Sequence, residues 1–357
     1  GDDAFPVMLE ELKKAEKYIF LEYFIIAPGM FWDSIVEILR EKHAAGVDVR
    51  VIYDDVGSLN TLPMNYAHKF EAETGIPCCF FNRFKPIISI RMNNRDHRKL
   101  CIIDGHTAFT GGINLADEYI NQKPRFGHWK DSAILLKGEA AWSMTVMFLT
   151  MWEYIRDVEE DYSRFRPAAL PAEAAGGAGY YVQPYTDNPL DDEPVGETVY
   201  LNLISKAKHY IYAMTPYLII SDSVNTALCN AAKAGVDVRI ITPHIPDKPL
   251  VFELTRSHYE PLLEAGVQIF EYTPGFVHAK NMVADDLCAV VGSINLDYRS
   301  MFLHFEDAVL LYRDPTILDV KRDFLETQFK SQPVTLEECL AHAWPRRLFR
   351  SILRVLA

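Results

Sequence analysis

The amino-acid sequence repeats one pattern twice along its 357 residues. The hexapeptide AGVDVR at 45–50 returns unchanged at 234–239. Two further pairs of similar segments keep the same order around it, AEKYIF with AKHYIY at 15–20 and 207–212, and GGINL with GSINL at 111–115 and 292–296. Such self-similarity over most of a chain indicates a tandem duplication, in which each copy folds as one unit.

Within each copy, helical and strand-like patterns alternate. The predicted elements are strand 18–26, helix 31–44, strand 47–53, helix 198–208, strand 210–217, helix 222–234 and strand 236–242. Apolar strands that alternate with helices are typical of an α/β protein. The predicted fold class is therefore α/β, with two tandem domains that each hold a mixed, mostly parallel sheet flanked by helices. The predicted domains are 1–166 and 180–357, joined by a flexible Ala/Gly-rich connection over 167–179.

Composition narrows the possible functions. Hydrophobic residues make up 49% of the chain and charged residues 24%, which is typical of a folded globular protein. The formal net charge of −13 weighs against a general nucleic-acid binder. The six cysteines include no C-x-x-C pair, so reduced thiols are favoured over disulfides or a zinc site. The longest apolar run, at 140–152, is too short to span about 30 Å of hydrocarbon.

Both copies contain the motif H-x-K-x4-D. Its residues are His97, Lys99 and Asp104 in the first copy and His278, Lys280 and Asp285 in the second. Two matches at equivalent repeat positions are not expected by chance. On a strand, the histidine and the lysine project from one face and the aspartate from the other. The two dyads are therefore predicted to share one anion, while Asp104 and Asp285 support the strand ends by hydrogen bonding or charge pairing.

Amides and carboxylates recur after each motif. Asn114 and Asn295 each follow their motif histidine by 17 residues, which makes them candidate donors to phosphoryl oxygens. An ordinary Gly-containing turn is the alternative. Asp131 and Glu306 come later, ahead of two apolar strand-like runs, where each carboxylate could orient an imidazole. Solvated charges at strand ends are the alternative for this pair.

These motifs resemble the phospholipase D superfamily, whose hallmark is a duplicated H-x-K-x4-D followed by Gly-Gly/Ser-x-Asn. The resemblance covers residues 18–330. The segments HWKD at 128–131 and SINLDYRS at 293–300 are similar to those of the bacterial cardiolipin synthases. The sequence departs from the family pattern at His304, where Asn often follows the Arg-Ser pair. Members of this group normally carry N-terminal membrane helices, so we expect this chain to be a soluble fragment that lacks them.

The resemblance implies an active site at the interface of two phospholipase D-like domains. It also implies phosphoryl transfer through a phosphohistidine, with no metal and no cofactor. His97 would be the nucleophile and His278 the general acid and base. The two motif lysines and the two asparagines would stabilise charge on the non-bridging oxygens. Each histidine would be oriented by a carboxylate of the opposite half, His97 by Glu306 and His278 by Asp131.

Two segments carry patterns suited to a membrane surface. The C-terminal one has an apolar stripe beside a cationic stripe, formed by Phe349, Ile352, Leu353 and Leu356 and by Arg347, Arg350 and Arg354. A helix lying on anionic lipid and a helix packed on its own domain both fit this pattern. The second segment is a local basic region near the first motif, formed by Arg83, Lys85, Arg91, Arg95 and Arg98. It is either a site for lipid phosphates or a loop with solvated charges.

The resemblance favours a phosphatidyltransferase that joins two phosphatidylglycerol molecules into cardiolipin and releases glycerol. A hydrolytic phospholipase D or another phosphatidyltransferase is the alternative. The net charge disfavours a nucleic-acid phosphodiesterase, and two intact motifs disfavour a silent lipid-binding scaffold. The expected partners are anionic phospholipid and the membrane surface, with no nucleic acid and no prediction of oligomeric state. The expected location is the bacterial cell membrane, with the catalytic part facing the cytoplasm.

Overall fold

The computed structural model describes residues 1–83, 93–168, 170, 179–341, 349–350 and 353–354. The strands are β1 Tyr18–Tyr23, β2 Asp48–Asp54, β3 Cys78–Phe81, β4 Arg95–Asp96, β5 Lys99–Ile103, β6 Thr107–Gly111, β7 His128–Lys130, β8 Ala133–Lys137, β9 Tyr181–Asp187, β10 Tyr210–Met214, β11 Asp237–Pro243, β12 Gln268–Tyr272, β13 Gly275–Val277, β14 Asn281–Ala284, β15 Cys288–Gly292, β16 His304–Tyr312 and β17 Ser331–Val334. The helices are α1 Ala4–Lys13, α2 Met30–Ala44, α3 Tyr66–Thr74, α4 Glu139–Arg156, α5 Val195–Lys206, α6 Asp222–Lys233, α7 Pro249–Ser257, α8 Tyr259–Glu264, α9 Tyr298–Phe302, α10 Thr316–Phe329 and α11 Leu336–Leu340. Among the helices described, none combines the length and the apolar character needed to cross a membrane.

Each copy of the repeat builds one mixed sheet. The described strands of the first sheet have the order β3-β2-β1-β5-β6-β8, and those of the second have the order β17-β12-β11-β10-β14-β15-β16-β4, with β9 also paired to β16. The predicted α/β fold with two similar mixed sheets is therefore confirmed. The expectation of mostly parallel pairing needs correction, because β5-β6 and β14-β15 are hairpins whose short turns impose antiparallel pairing. Parallel pairing is concentrated in β3-β2-β1 and β12-β11-β10.

The observed elements follow the predicted ones with shifted ends. β1 ends at Tyr23 rather than at residue 26, because Ile26 has left the strand and forms an isolated bridge with Leu115. In the second copy, α5, β10, α6 and β11 begin and end within three residues of the predicted positions. The hydrophobic periodicity therefore places the elements of both copies.

Apolar side chains are buried on both faces of each sheet, and the two halves share part of their core. Phe20 of β1 stacks on Phe148 of α4, with ring centroids 4.5 Å apart. The equivalent pair in the second half is Tyr212 of β10 and Phe324 of α10, at 4.8 Å. All four rings belong to one hydrophobic cluster that draws residues from both sheets. Such a cluster holds the two halves in a fixed relation because separating them would expose its apolar surface to water.

Short strands of one half also pair with strands of the other. β4 of the first copy pairs in parallel with β16 of the second sheet, and β7 pairs in parallel with β13. The predicted domains, 1–166 and 180–357, stay a prediction. Of the predicted flexible connection over 167–179, residues 169 and 171–178 lie outside the described residues.

The predicted C-terminal amphipathic segment is described only in part. Arg347, Ile352 and Leu356 lie outside the described residues. Arg350 is buried, and its Nε donates to Oε2 of Glu253 at 2.8 Å. This contact fits a segment packed on its own domain, whereas the predicted contact with lipid stays a prediction.

The motif aspartates lie at the turns that close the two central hairpins, at the end of each sheet remote from the lysines. The Asp104 carboxylate accepts three backbone N–H groups, those of Glu16, Lys17 and Tyr18, each at 2.8 Å. Asp285 does the same for residues 208–210 at 2.7–2.9 Å. Both aspartates have positive φ, 53° and 58°, a region that Asp adopts more readily than most residues. Each aspartate ties its hairpin to the beginning of β1 or β10. Neither carboxylate hydrogen-bonds the motif histidines His97 and His278.

The substitution Asp104→Ala is expected to lower the free energy of unfolding by about 2–4 kcal/mol, because it leaves partly buried N–H groups unpaired and places alanine at positive φ. Asp285→Ala should cost less, about 1–2 kcal/mol, because water can replace the carboxylate at its more exposed partners. Urea denaturation of the two variants and of Asp104→Asn measures the difference. Equal losses for the two alanine variants would contradict this explanation.

Candidate active site

The two H-x-K segments lie at corresponding ends of the two sheets. Tyr23, the last residue of β1, pairs with Lys99, and Met214, the last residue of β10, pairs with Asn281. β5 begins at Lys99 and β14 begins at Asn281, so both motif histidines precede their strands. The prediction that His97 and Lys99 project from one face of the same strand is therefore wrong, because the strand begins only at Lys99. Each lysine nevertheless lies beside its histidine.

Hydrogen bonds to the other half draw the histidine backbones out of their own sheets. The N–H of His97 donates to the carbonyl oxygen of Phe305 at 2.9 Å, and the N–H of His278 donates to that of Lys130 at 2.7 Å. Both acceptors lie on strands of the opposite copy, β16 and β7. The residue that follows each acceptor is one of the two acidic residues selected from the sequence. Each half therefore supplies a carbonyl and a carboxylate side by side to the other half's histidine.

The imidazoles meet these carboxylates through Nδ1. Nδ1 of His97 lies 2.9 and 3.0 Å from the two carboxylate oxygens of Glu306. Nδ1 of His278 lies 2.8 Å from Oδ2 of Asp131. The structure thus brings together the crossed pairs that the resemblance implies. Because Nδ1 is engaged in both rings, Nε2 is the nitrogen that each ring can present to a substrate.

Glu306 is fixed by groups that the sequence did not single out for this role. The hydroxyl groups of Ser293 and Ser300 both donate to its carboxylate. The imidazole of His304 also lies near this carboxylate, with its Nδ1 3.6 Å from Oε1 of Glu306. Glu306 lies within β16 instead of ahead of the strand as predicted, because pairing with β4 and β9 extends β16 back to His304. A sequence signal for Ser293 exists, since it stands where the first copy has Gly112.

Asp131 is held more simply. Its Oδ1 accepts the backbone N–H of Ser132 at 2.8 Å, and its Oδ2 lies 3.3 Å from Nε1 of Trp129. Gly112 packs against the carboxylate, and a Cβ atom there would lie 2.0 Å from Oδ1 of Asp131 and 2.8 Å from the carbonyl oxygen of His278. Any side chain at this position would displace the Asp131–His278 pair. Gly112 therefore allows the close approach of the two halves at this pair.

The motif lysines are fully buried, and each Nζ donates to the carbonyl oxygen of its own histidine, Lys99 to His97 and Lys280 to His278. Nζ of Lys280 also lies 2.9 Å from Nδ1 of His278. Burial lowers the pKa of Lys99 to about 8. Burial also lowers the pKa of Lys280 to about 7, and the charge of Lys99 contributes to this shift. The charge of Lys99 also contributes to the lowered pKa of His278, so the first dyad acts electrostatically on the second.

Burial also sets the protonation of the histidine–carboxylate pairs. It lowers the pKa of His97 well below its ordinary value, and it lowers the pKa of His278 to about 4. Burial opposes ionisation of the two carboxyl groups, but the facing histidines and lysines hold the pKa of Glu306 and of Asp131 below their ordinary values. At neutral pH the imidazoles are neutral and the carboxylates are charged. A neutral imidazole is the form that can act as a nucleophile.

The two asparagines make internal hydrogen bonds. Oδ1 of Asn114 accepts the N–H of Ile25 at 2.9 Å, and its amide nitrogen donates to the hydroxyl of Tyr119 at 2.9 Å. The backbone N–H of Asn295 donates to Oγ of Ser300 at 2.9 Å, and its Oδ1 has no hydrogen-bond partner in the described part of the chain. Asn114 braces the loop after β1, so its contribution to phosphate binding stays a prediction, as does that of Asn295.

The predicted basic region does not present its arginines to solvent as a group. Arg95 is buried with Nε 3.2 Å from Oδ2 of Asp54, and Arg98 is buried with NH2 2.6 Å from Oε1 of Glu22. These two cations serve buried ion pairs beside the site, so neither alternative drawn from the sequence applies to them. Arg83 is exposed, and Lys85 and Arg91 lie outside the described residues.

Comparison with solved structures shows the same fold. The crystal structure of phosphatidylserine synthase from Haemophilus influenzae superposes with a TM-score of 0.74 at 15% sequence identity. The alignment covers 99% of this chain and 92% of that protein. The two copies of the repeat are therefore arranged as the corresponding parts of that structure are.

Sequence comparison gives closer relatives. The family model described as cardiolipin synthase, PLD-like domain matches residues 8–143 and 200–327. An uncharacterized protein of Streptococcus mutans is 50% identical over 335 residues, which cover 94% of this chain and 72% of the relative. The cardiolipin synthase of Geobacillus kaustophilus is 36% identical over 361 residues, which cover 100% of this chain and 70% of the relative. These matches confirm the resemblance seen in the motifs, and the chain belongs to the cardiolipin synthase family of phospholipase D-like enzymes.

Proposed function

We propose that this chain transfers a phosphatidyl group between two molecules of phosphatidylglycerol and so forms cardiolipin and glycerol. The observation that carries the proposal is the pair of His–Lys dyads, one from each half, in which each histidine is held by the carboxylate of the other half. Relatives named cardiolipin synthase, which match the whole chain at about 35% identity, support the choice of substrate.

The reaction has two steps at one phosphorus atom. In the first, Nε2 of His97 attacks the phosphorus of the donor lipid, the bond from phosphorus to the oxygen of the head-group glycerol breaks, and His278 gives a proton to this leaving oxygen. In the second, His278 takes the proton from a hydroxyl of the acceptor lipid. The acceptor oxygen then attacks the phosphorus, the bond from phosphorus to nitrogen breaks, and His97 returns to its starting state.

The surroundings of the two Nδ1 atoms support this division of roles. Nδ1 of His97 faces both oxygens of Glu306, so it carries the proton and leaves a lone pair on Nε2 for attack. Nδ1 of His278 lies between the Asp131 carboxylate and Nζ of Lys280, at 2.8 and 2.9 Å. Burial lowers the pKa of Lys280 to about 7, so this amine is mostly neutral in the free protein, and the carboxylate favours a proton on His278 once the charge of the substrate is present.

A phosphodiester changes the electrostatics of the site when it binds. Two lysines and two imidazoles surround the position that we propose for it, and its negative charge favours their protonated forms. His278, neutral in the free protein, then becomes an imidazolium that can protonate the leaving oxygen. The lysines stabilise charge on the non-bridging oxygens as the transition state forms.

The proposed partners are anionic phospholipid and the membrane surface that presents it. We also propose that the enzyme works at the bacterial cell membrane with its catalytic part facing the cytoplasm. The net charge of −13 supports a lipid substrate over a nucleic-acid one, because nucleic-acid binding relies on many cationic contacts to phosphates.

The proposal is tested with vesicles of phosphatidylglycerol, the purified chain and identification of the products. Cardiolipin and glycerol in equal amounts are the expected products, because the acceptor hydroxyl takes the place of water at the phosphorus. Phosphatidic acid as the main product would identify a hydrolytic phospholipase D and would contradict the proposed transfer.

The variants Glu306→Gln and Asp131→Asn test the crossed pairs in the same assay. Each amide keeps the size of the side chain but removes the charge that fixes the imidazole, so product formation should fall about 10²- to 10⁴-fold. Glu271→Gln is the matched control, because Glu271 is a buried carboxylate whose hydrogen-bond partners are His244, Arg256 and Tyr259 instead of the residues of the site. A similar loss in the control, or near-normal rates in the two site variants, would count against the assigned roles.

Anion binding is expected to draw protons into the site. At pH 7.5 Lys280, with a pKa of about 7, is mostly neutral, and His278, with a pKa of about 4, is neutral. A bound phosphodiester raises both pKa values, so we expect uptake of about one to two protons per site at this pH. Calorimetric titration with glycerophosphoglycerol, in buffers of different ionisation enthalpy, measures the uptake, and Lys280→Met should reduce it. A heat of binding that is the same in all buffers would refute the proposed protonation.

A further inference from the structure

His304 is the one position near the site where the sequence departs from the family pattern noted above. It begins β16 and stands two residues before Glu306, so both side chains project from the same face of the strand. Its ring centroid lies 5.5 Å from that of His97, and its side chain is 11% exposed. The reaction proposed above gives this imidazole no role.

The nitrogens of His304 are buried without hydrogen-bond partners in the part of the chain that the structure describes. Nδ1 is 3.6 Å from Oε1 of Glu306, which is too long for a hydrogen bond. Buried polar groups normally have a partner, because burial without one costs free energy. The ring is therefore placed to bind something that approaches the shared carboxylate.

The chemistry around Glu306 suits a transition metal. One atom each from His97, His304 and Glu306 lie within 4.8 Å of one another. Zinc bonds of about 2.0–2.1 Å place tetrahedral ligand atoms about 3.3 Å apart, so a modest rotation of the His304 ring completes the set. Two imidazoles and a carboxylate are ligands that Zn²⁺ commonly takes in proteins, with a fourth position left for water.

We propose that His97, His304 and Glu306 form an inhibitory site for a divalent transition metal such as Zn²⁺. The metal would bind Nδ1 of His97 in place of the hydrogen that this atom gives to Glu306. The neutral ring then carries its proton on Nε2, so no net proton is released and the lone pair needed for attack is lost. Mg²⁺ and Ca²⁺ prefer all-oxygen ligand sets and are not expected to bind here. The inhibition rests on the proposed function, whereas the binding does not.

The binding is tested on the full chain without lipid, by calorimetric titration with Zn²⁺ and by the visible absorption of bound Co²⁺. His304→Asn should weaken zinc binding at least about tenfold, because it removes one of three protein ligands. His244→Asn is the matched control, since His244 also pairs with a buried carboxylate but belongs to no group of three candidate metal ligands among the described residues. His244→Asn should leave the zinc affinity of the site formed by His97, His304 and Glu306 unchanged.

Equal zinc affinity in the wild type and in His304→Asn would overturn the site. An equal loss of zinc affinity in His304→Asn and His244→Asn would overturn it as well. His304→Gln serves as a second variant, and thermal unfolding shows that each variant is folded.

In the vesicle assay, Zn²⁺ should inhibit the wild type at concentrations at least about tenfold below those that inhibit His304→Asn. Tight binding that leaves transfer unaffected would refute the inhibition. A protein that binds zinc through His304 but makes no cardiolipin would instead refute the proposed function and leave the site standing.

Discussion

The pairing of His97 and His278 with carboxylates from the opposite halves is the interaction on which the candidate site depends. The same short strand segments supply the carbonyl that holds each histidine backbone and the carboxylate that holds its ring. All four charged or polar groups are buried, and breaking such a pair would leave an uncompensated charge away from water. Neither half alone can therefore assemble a finished site. The shared hydrophobic cluster and the strand pairs β4–β16 and β7–β13 hold the two halves together, so that each carboxylate reaches the histidine of the other half.

The two copies have kept the same frame while their chemistry has diverged. Gly112 and Ser293 occupy equivalent positions in the two copies. Gly112 leaves room for the backbone of His278, whereas the hydroxyl of Ser293 donates a hydrogen bond to Glu306. The lysine of the second copy touches the ring of its histidine, and the lysine of the first copy does not. Differences of this kind allow two similar imidazoles to take different roles, because the proton on a histidine follows what its Nδ1 atom faces.

Much of this arrangement was predictable from the sequence, for reasons that differ between residues. The elements of each copy follow from hydrophobic period, and the recurrence of AGVDVR and GGIN/GSIN identifies the duplication. The pairs His97–Glu306 and His278–Asp131 came from family resemblance, since no local pattern shows which residues meet across about 150 or 200 positions. Local reasoning places His97 on a strand, because it contains no information about the hydrogen bond that the N–H of His97 donates to the carbonyl oxygen of Phe305. It also missed that Ser300 holds Glu306 and that Tyr119 engages the amide of Asn114, since both contacts depend on how loops fold back.

We propose that both dyads act on one phosphorus atom, with His97 forming the covalent bond. The most direct measurement uses phosphatidylglycerol that carries radioactive phosphorus, rapid quenching in alkali to preserve phosphohistidine, and mapping of the labelled peptide. The account predicts label on His97 in the wild-type chain, and no label in His97→Ala. Label on His278 would reverse the two roles. Cardiolipin formation at full rate with no covalent phosphorus on either histidine would contradict the account altogether.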